Sequence, residues 1–229
     1  MGGHEAGDIA SQMIVETLQE ISPPNDWDDF LNAVREGLQK VNQQLREESA
    51  QRYQNRTIGS TVVVLLMWET QCACLWVGDS RIYRLRGGHL QQLTRDHSHV
   101  QELVDQGLIL AADAHRHPLA NVITRAVGSA EDLLVDEAIY PLEAGDMFLL
   151  CSDGLNKTVS DEEITRLLTQ SNHNCQEAVK AFIHLALMRD ANDNVTTVVV
   201  NVAAINAMTA ATSDSKISDD PIPSDWYLQ

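Results

Sequence analysis

Residues 60 to 93 read STVVVLLMWETQCACLWVGDSRIYRLRGGHLQQL, and the period of this stretch decides the class of fold. β-Branched and aliphatic residues fill Ser60 to Trp68, Gln71 to Val77, Ile82 to Arg86 and His89 to Leu93. Glu69-Thr70, Gly78-Asp79 and Gly87-Gly88 separate them, each of hairpin-turn length, so the spacing predicts four consecutive antiparallel strands.

Before this run the period is helical. Ala6, Ala10, Ile14, Leu18 and Ile21 recur at three and four over Glu5 to Ile21, and Pro23-Pro24 ends that pattern. Asn25 or Asp26 can cap a second helix, whose stripe is Trp27, Leu31, Val34, Leu38, Val41 and Leu45. After the run, residues 97 to 128 alternate short helical stretches with loops, an irregular excursion of the kind that carries function. Strand character returns at Leu133 to Pro141 and Met147 to Cys151. Ser160 with Glu163, and Asn174 with Glu177, have capping-box spacing and start two more helices. Val195 to Val202 is nearly all apolar and predicts a last strand, central and covered on both faces. Helices, a run of strands, helices and a strand make an α+β chain, best buried as two packed antiparallel sheets with helices outside. Residues 1 to 202 form one domain on this reading, and the acidic, Ser/Thr/Asp/Pro-rich residues 203 to 229 a disordered tail.

Lys and Arg number 16 against 33 Asp and Glu, a net charge of -17, which repels nucleic acid and anionic lipid. Apolar runs stop short of the ~20 residues that span a bilayer. Cys72, Cys74, Cys151 and Cys175 form no CxxC pair, and the expected setting is a reducing cytoplasm.

Chemistry gathers at strand ends. Cys151-Ser152-Asp153-Gly154 stands where one strand stops and Asp190-Ala191-Asn192-Asp193-Asn194 where the last begins. If those strands are antiparallel neighbours, Asp153 and Asp193 reach the same end of the sheet. Two carboxylates there repel unless they share a proton or a cation, and Mg²⁺ or Mn²⁺ suits such oxygens. Gly78-Asp79-Ser80-Arg81 sets a third carboxylate in a turn. Met1-Gly2-Gly3-His4 leads into the first helix with a histidine able to exchange a proton near neutral pH. His97-Ser98-His99 and His115-Arg116-His117 lack cysteines to complete a tetrahedral zinc set and read as polar loop residues. Arg81 and Arg125 read as ion-pair partners of nearby acidic side chains before phosphate ligands.

Six segments in order, MGGHEAGDIAS (1 to 11), GST (59 to 61), WVGDSRIYRLRGGHLQQLTRDHS (76 to 98), NVITRAVG (121 to 128), GDMFLLCSDGL (145 to 155) and DNVTTVVV (193 to 200), resemble the PPM-type phosphatases. These are the protein phosphatase 2C-like enzymes in their bacterial form. The resemblance implies a four-layer αββα sandwich whose cleft holds two divalent metals, Mn²⁺ or Mg²⁺. It implies hydrolysis of phosphoserine and phosphothreonine in proteins by direct attack of metal-activated water, opposing a bacterial Ser/Thr kinase, in a chain expected to be a monomer. Carried over by position, it makes Asp153 and Asp193 ligands of the first metal. Asp79 stands beside Asp153 at a third, weaker site, and His4 protonates the leaving oxygen or orients the substrate. It also implies an Asp-Gly pair directly before the Met-Gly-Gly-His run, with an Asn-Glu-Asp segment and a phosphate-gripping Arg on opening strands. None of these stands in residues 1 to 229. The expectation is therefore a start inside the motif of a longer gene, with little activity from this chain alone. The alternative is an inactive module that binds phosphoproteins.

Overall fold

The computed structural model describes residues 5–22, 25–52, 57–189, 191 and 193–203. Two helices come first, α1 over Glu5–Gln19 and α2 over Trp27–Arg52. Asp26 begins the second, its Oδ1 accepting from the Asp29 N–H at 2.8 Å. Strands β1 (Val62–Trp68), β2 (Gln71–Val77), β3 (Arg81–Arg86) and β4 (His89–Gln92) follow. The excursion holds helix α3 (His99–Asp105) and a 3-10 helix over Ala111–Arg116. Then come β5 (Asp136–Pro141), β6 (Met147–Cys151), the single turn α4 (Asp153–Asn156), α5 (Asp161–Gln170), α6 (Cys175–Met188) and β7 (Thr197–Asn201).

The strands form two antiparallel sheets, ordered β1-β2-β5 and β4-β3-β6-β7. Side-chain alternation explains how they stack. On β2, Ala73, Leu75 and Val77 meet Ala10, Ile14, Leu38 and Val41 of the first two helices. The intervening Cys72, Cys74 and Trp76 face the other sheet and pack with Ile82 and Phe148. On that second sheet Tyr83, Leu149 and Cys151 turn outward onto Ile164, Leu168, Ala178 and Phe182 of α5 and α6. Three apolar interfaces thus separate four layers, helices, sheet, sheet and helices, as expected for the α+β αββα class.

Two expectations about the strands need correction. Gly78-Asp79 does not close a hairpin, because β2 pairs with β1 and β5 while β3 pairs with β4 and β6. The short link instead carries the chain from one sheet to the other. Gly78 has φ +114, and a Cβ there would meet Thr61 Cγ2 at 2.3 Å, so only glycine passes at this crossing. The last strand is not central. It lies at the end of the described order of its sheet, with Val198 50% exposed.

The outer helices are locked to one another. Ser160 and Glu163 close a full capping box at the start of α5, and the same Glu163 takes both terminal nitrogens of Arg189, just after α6, at 2.6 Å each. Those hydrogen bonds hold the Glu163 carboxyl down at about 2.

Candidate active site

Strand β6 ends at Cys151, which pairs with Thr197 at the start of β7. The chains beyond that rung therefore emerge together. Ser152 stitches them: its N–H donates to the Thr196 carbonyl at 3.1 Å and its hydroxyl to the Asn194 carbonyl at 3.0 Å, while the Thr196 N–H donates back to Ser152 Oγ at 3.0 Å. Asp153-Gly154 then turns into α4 directly over Asp193-Asn194. A Cβ on Gly154 would stand 2.4 Å from the Asn194 carbonyl oxygen and 3.3 Å from that of Asp193. Any side chain here would push the two carboxylate-bearing segments apart.

The Asp193 side chain is exposed, and its Oδ1 accepts from the Asn194 N–H at 2.8 Å. Asp153 Oδ2 accepts from Lys157 Nζ at 2.5 Å. Asp79 is only 8% exposed. Burial first, and then the negative charge of Asp153, push its carboxyl up to about 6, with the Lys157 ammonium opposing. Asp79 and Asp153 thus share one electrostatic neighbourhood.

These oxygens are hard donors of the type Mg²⁺ and Mn²⁺ accept, and the mutual repulsion of Asp79 and Asp153 favours a cation between them. The donor chemistry fits such an ion. Among the described residues no group of three or more His, Cys, Asp or Glu is gathered to hold a metal. His4 lies outside the described residues.

Because the folded state raises the Asp79 pKa, its proton is held more tightly there than in the unfolded chain. Ionising it therefore costs stability, a cost absent near pH 4 and fully present above about pH 6. Without metal, Asp79→Asn is expected to stabilise the protein by about 2–3 kcal/mol at pH 7.5 and by little near pH 4. Urea unfolding in EDTA at the two pH values measures this, and a gain independent of pH would remove the ionisation argument.

The Asp79 turn is braced by a residue that the sequence reading took for polar loop. His97 is buried, and its Nδ1 accepts from the Gly78 N–H at 3.0 Å while its backbone N–H donates to the Gly78 carbonyl at 2.9 Å. Nδ1 being the acceptor, Nε2 carries the proton, and it faces Asp136 Oδ2 at 3.2 Å. Arg125 holds the other oxygen of Asp136 at 2.7 Å. Burial keeps the imidazole below its ordinary pKa, hence neutral at pH 7. Trp76 stacks on the ring at 6.2 Å. No spacing signal in the sequence marks this group, since its members come from three separate segments. The expected ion-pair reading of both arginines holds. Arg81 donates through Nε and Nη2 to Asp96 at 2.9 and 2.7 Å and through Nη1 to Tyr83 at 2.8 Å.

With that geometry in place, comparison with known proteins is decisive. The family model described as protein phosphatase 2C matches residues 1–191. The chain belongs to the protein phosphatase 2C family. Among its relatives, the serine/threonine phosphatase Stp of Listeria welshimeri is 36% identical over 204 residues, covering 87% of this chain and 81% of that one. The solved structure of PppA from Pseudomonas aeruginosa, described as a key regulatory component of T6SS, superposes with TM-score 0.79 at 45% identity, over 88% of this chain and 82% of that one. The catalytic domain of the serine/threonine protein phosphatase PstP, solved with two manganese ions, gives TM-score 0.77 at 34% identity, over 89% and 85% of the two chains. Family membership makes this a protein phosphatase fold of the metal-dependent kind.

Proposed function

We propose that this protein phosphatase 2C member hydrolyses phosphoserine and phosphothreonine in proteins, with Asp153 and Asp193 as ligands of a divalent ion and Asp79 as a neighbouring carboxylate ligand. One observation carries the reading: Asp153-Gly154 lies against Asp193-Asn194 in backbone contact that only glycine allows. When bound, Mn²⁺ or Mg²⁺ supplies a Lewis acid that yields a nucleophilic water near neutral pH and offsets charge on phosphate. The chain's own residues hold the geometry. Ser152 fixes the two segments, and His97 fixes the turn before Asp79. His4 donates a proton to the departing serine or threonine oxygen, a role that suits an imidazole near pH 7.

The partners on this reading are phosphorylated proteins, products of a bacterial Ser/Thr kinase, met by a monomer in the cytoplasm. The acidic surface favours substrates with basic flanks, and the four free cysteines suit a reducing compartment.

The test uses a form carrying, ahead of Met1, the Asp-Gly and Asn-Glu-Asp segments that the resemblance implies. With Mn²⁺ it is expected to release phosphate from a phosphothreonine peptide and to stop when EDTA is added. Binding of the peptide without release would favour the phosphoprotein-binding module instead.

His4→Ala in the same form is expected to slow the phosphothreonine peptide by about 10²-fold or more, and p-nitrophenyl phosphate far less, because nitrophenolate leaves without a proton. Steady-state rates on both substrates decide it. Equal slowing would make His4 a positioning residue for phosphate or water.

A further inference from the structure

Lys157 is the one cation bonded directly to a proposed ligand carboxylate among the described residues. It stands four positions after Asp153 at the end of α4, the spacing at which two side chains on a helical turn meet. Its Nζ donates to Asp153 Oδ2 at 2.5 Å and to Asn121 Oδ1 at 2.8 Å. Asn121 belongs to the excursion, close to where its two ends are tied together by the Ser98–Ile123 bridge and the His99 N–H to Val122 carbonyl bond. Arg81 pairs with Cys151 across β3 and β6, so the Asp79 turn and Asp153 emerge at the same end of that sheet as the ammonium. One side chain thus serves both carboxylates of the pair and the excursion beside them.

We propose that Lys157 is the built-in counter-charge of the Asp79–Asp153 pair, competing there with a divalent cation, and that through Asn121 it ties the excursion to that pair. The proposal rests on the ligand assignment made under the proposed function. Two ionised carboxylates, one nearly buried, are stable together only beside positive charge. A lysine supplies that charge as a point donor on a flexible stem, and it can leave when the stem swings away. While it is in place, one Asp153 oxygen is engaged. Lys157 is a positioning residue, since it acts through Asp153 and Asn121.

The experiment titrates the full 229-residue chain with MnCl₂, reading bound ions per chain by calorimetry and by loss of the free Mn²⁺ paramagnetic resonance signal. Lys157→Gln is expected to bind one more Mn²⁺ per chain than the parent, and Lys157→Arg, which keeps the charge, the parental number. The added ion should vanish in Lys157→Gln/Asp79→Asn. Asn121→Ala should add no ion, while speeding amide hydrogen exchange over residues 117 to 122 as Lys157→Gln does. An unchanged ion count in Lys157→Gln, or the same gain in Lys157→Arg, overturns the proposal. The two readings separate through Asp193→Asn. If that change weakens Mn²⁺ binding while Lys157→Gln adds no ion, the lysine's role falls and the ligand assignment stands. If Lys157→Gln adds the ion while Asp193→Asn changes nothing, Asp193 is not a ligand and the lysine's role stands.

Discussion

Replacement of Asp193 by asparagine is expected to lower turnover of a phosphothreonine peptide by about a hundredfold or more while leaving stability within about 0.5 kcal/mol of the parent. Asp193 is exposed, and the hydrogen bond it accepts from the Asn194 N–H can be kept by an amide oxygen of nearly the same shape. What the change removes is a negative charge at the point where the β6 and β7 ends converge. Loss of a residue that merely orients a metal ligand costs about 10- to 100-fold, so loss of the ligand's own charge should cost at least as much. Steady-state rates in Mn²⁺ and urea unfolding of both proteins, each in the form extended before Met1, provide the check. A variant that is inactive because it is unfolded would show as a shifted midpoint. One that is folded and fully active would remove Asp193 from the site.

The largest expected effect on stability comes from Arg86, far from the chemistry. Asp146 is fully buried, and Arg86 grips it through Nε and Nη2 at 2.6 Å each, while the Glu143 N–H adds a third bond at 2.9 Å. Burial alone would raise this carboxyl, but the Arg86 bonds outweigh it and hold it below the ordinary carboxylate range. Arg86→Met keeps most of the stem and leaves a buried carboxylate without its cation, at a cost of about 3–5 kcal/mol near pH 7.5. A fall in Tm on the order of 10 °C follows for a chain of this size. The sign with pH is fixed. In the parent, a depressed pKa contributes stability above the unfolded value and loses it as pH falls through the folded one. In the variant the unpaired carboxyl protonates more readily, so the gap between the two proteins should narrow toward pH 4. Thermal melts across that range test it, and Arg86→Met/Asp146→Asn should recover much of the loss. A gap constant with pH would assign the effect to lost packing of the arginine stem.

The layer order and the shared sheet end of the Asp153 and Asp193 segments were legible because both follow from local rules. β-Branched runs broken at turn-length intervals separated the strands from the 3.6-period helices, and one antiparallel rung between Cys151 and Thr197 carried both aspartate segments to one end. The switch between sheets at Gly78 was misread because turn length is local, whereas strand pairing is decided by which faces need cover. The clue was in β2 itself, where Cys72, Cys74 and Trp76 are as apolar as Ala73, Leu75 and Val77, so both of its faces had to be buried. The last strand misled in the opposite direction, since an apolar run at a sheet's edge reads like one at its centre. His97 with Asp136 and Arg125, like Arg86 with Asp146, joins residues distant in sequence, and no spacing rule announces such pairs. Lys157 was within reach, because an Asp and a Lys four apart on a helical turn are a known pairing.

The double grip of Glu163 on Arg189 bears on a segment it never touches. It anchors the chain where α6 ends, and Ser152 anchors it again at Asn194 and Thr196. Asp193 therefore stands directly beside a held residue, since the Ser152 hydroxyl grips the Asn194 carbonyl. An ion pair on the outer surface of the protein thus fixes the chain where α6 ends, on one side of Asp193, as Ser152 fixes it on the other.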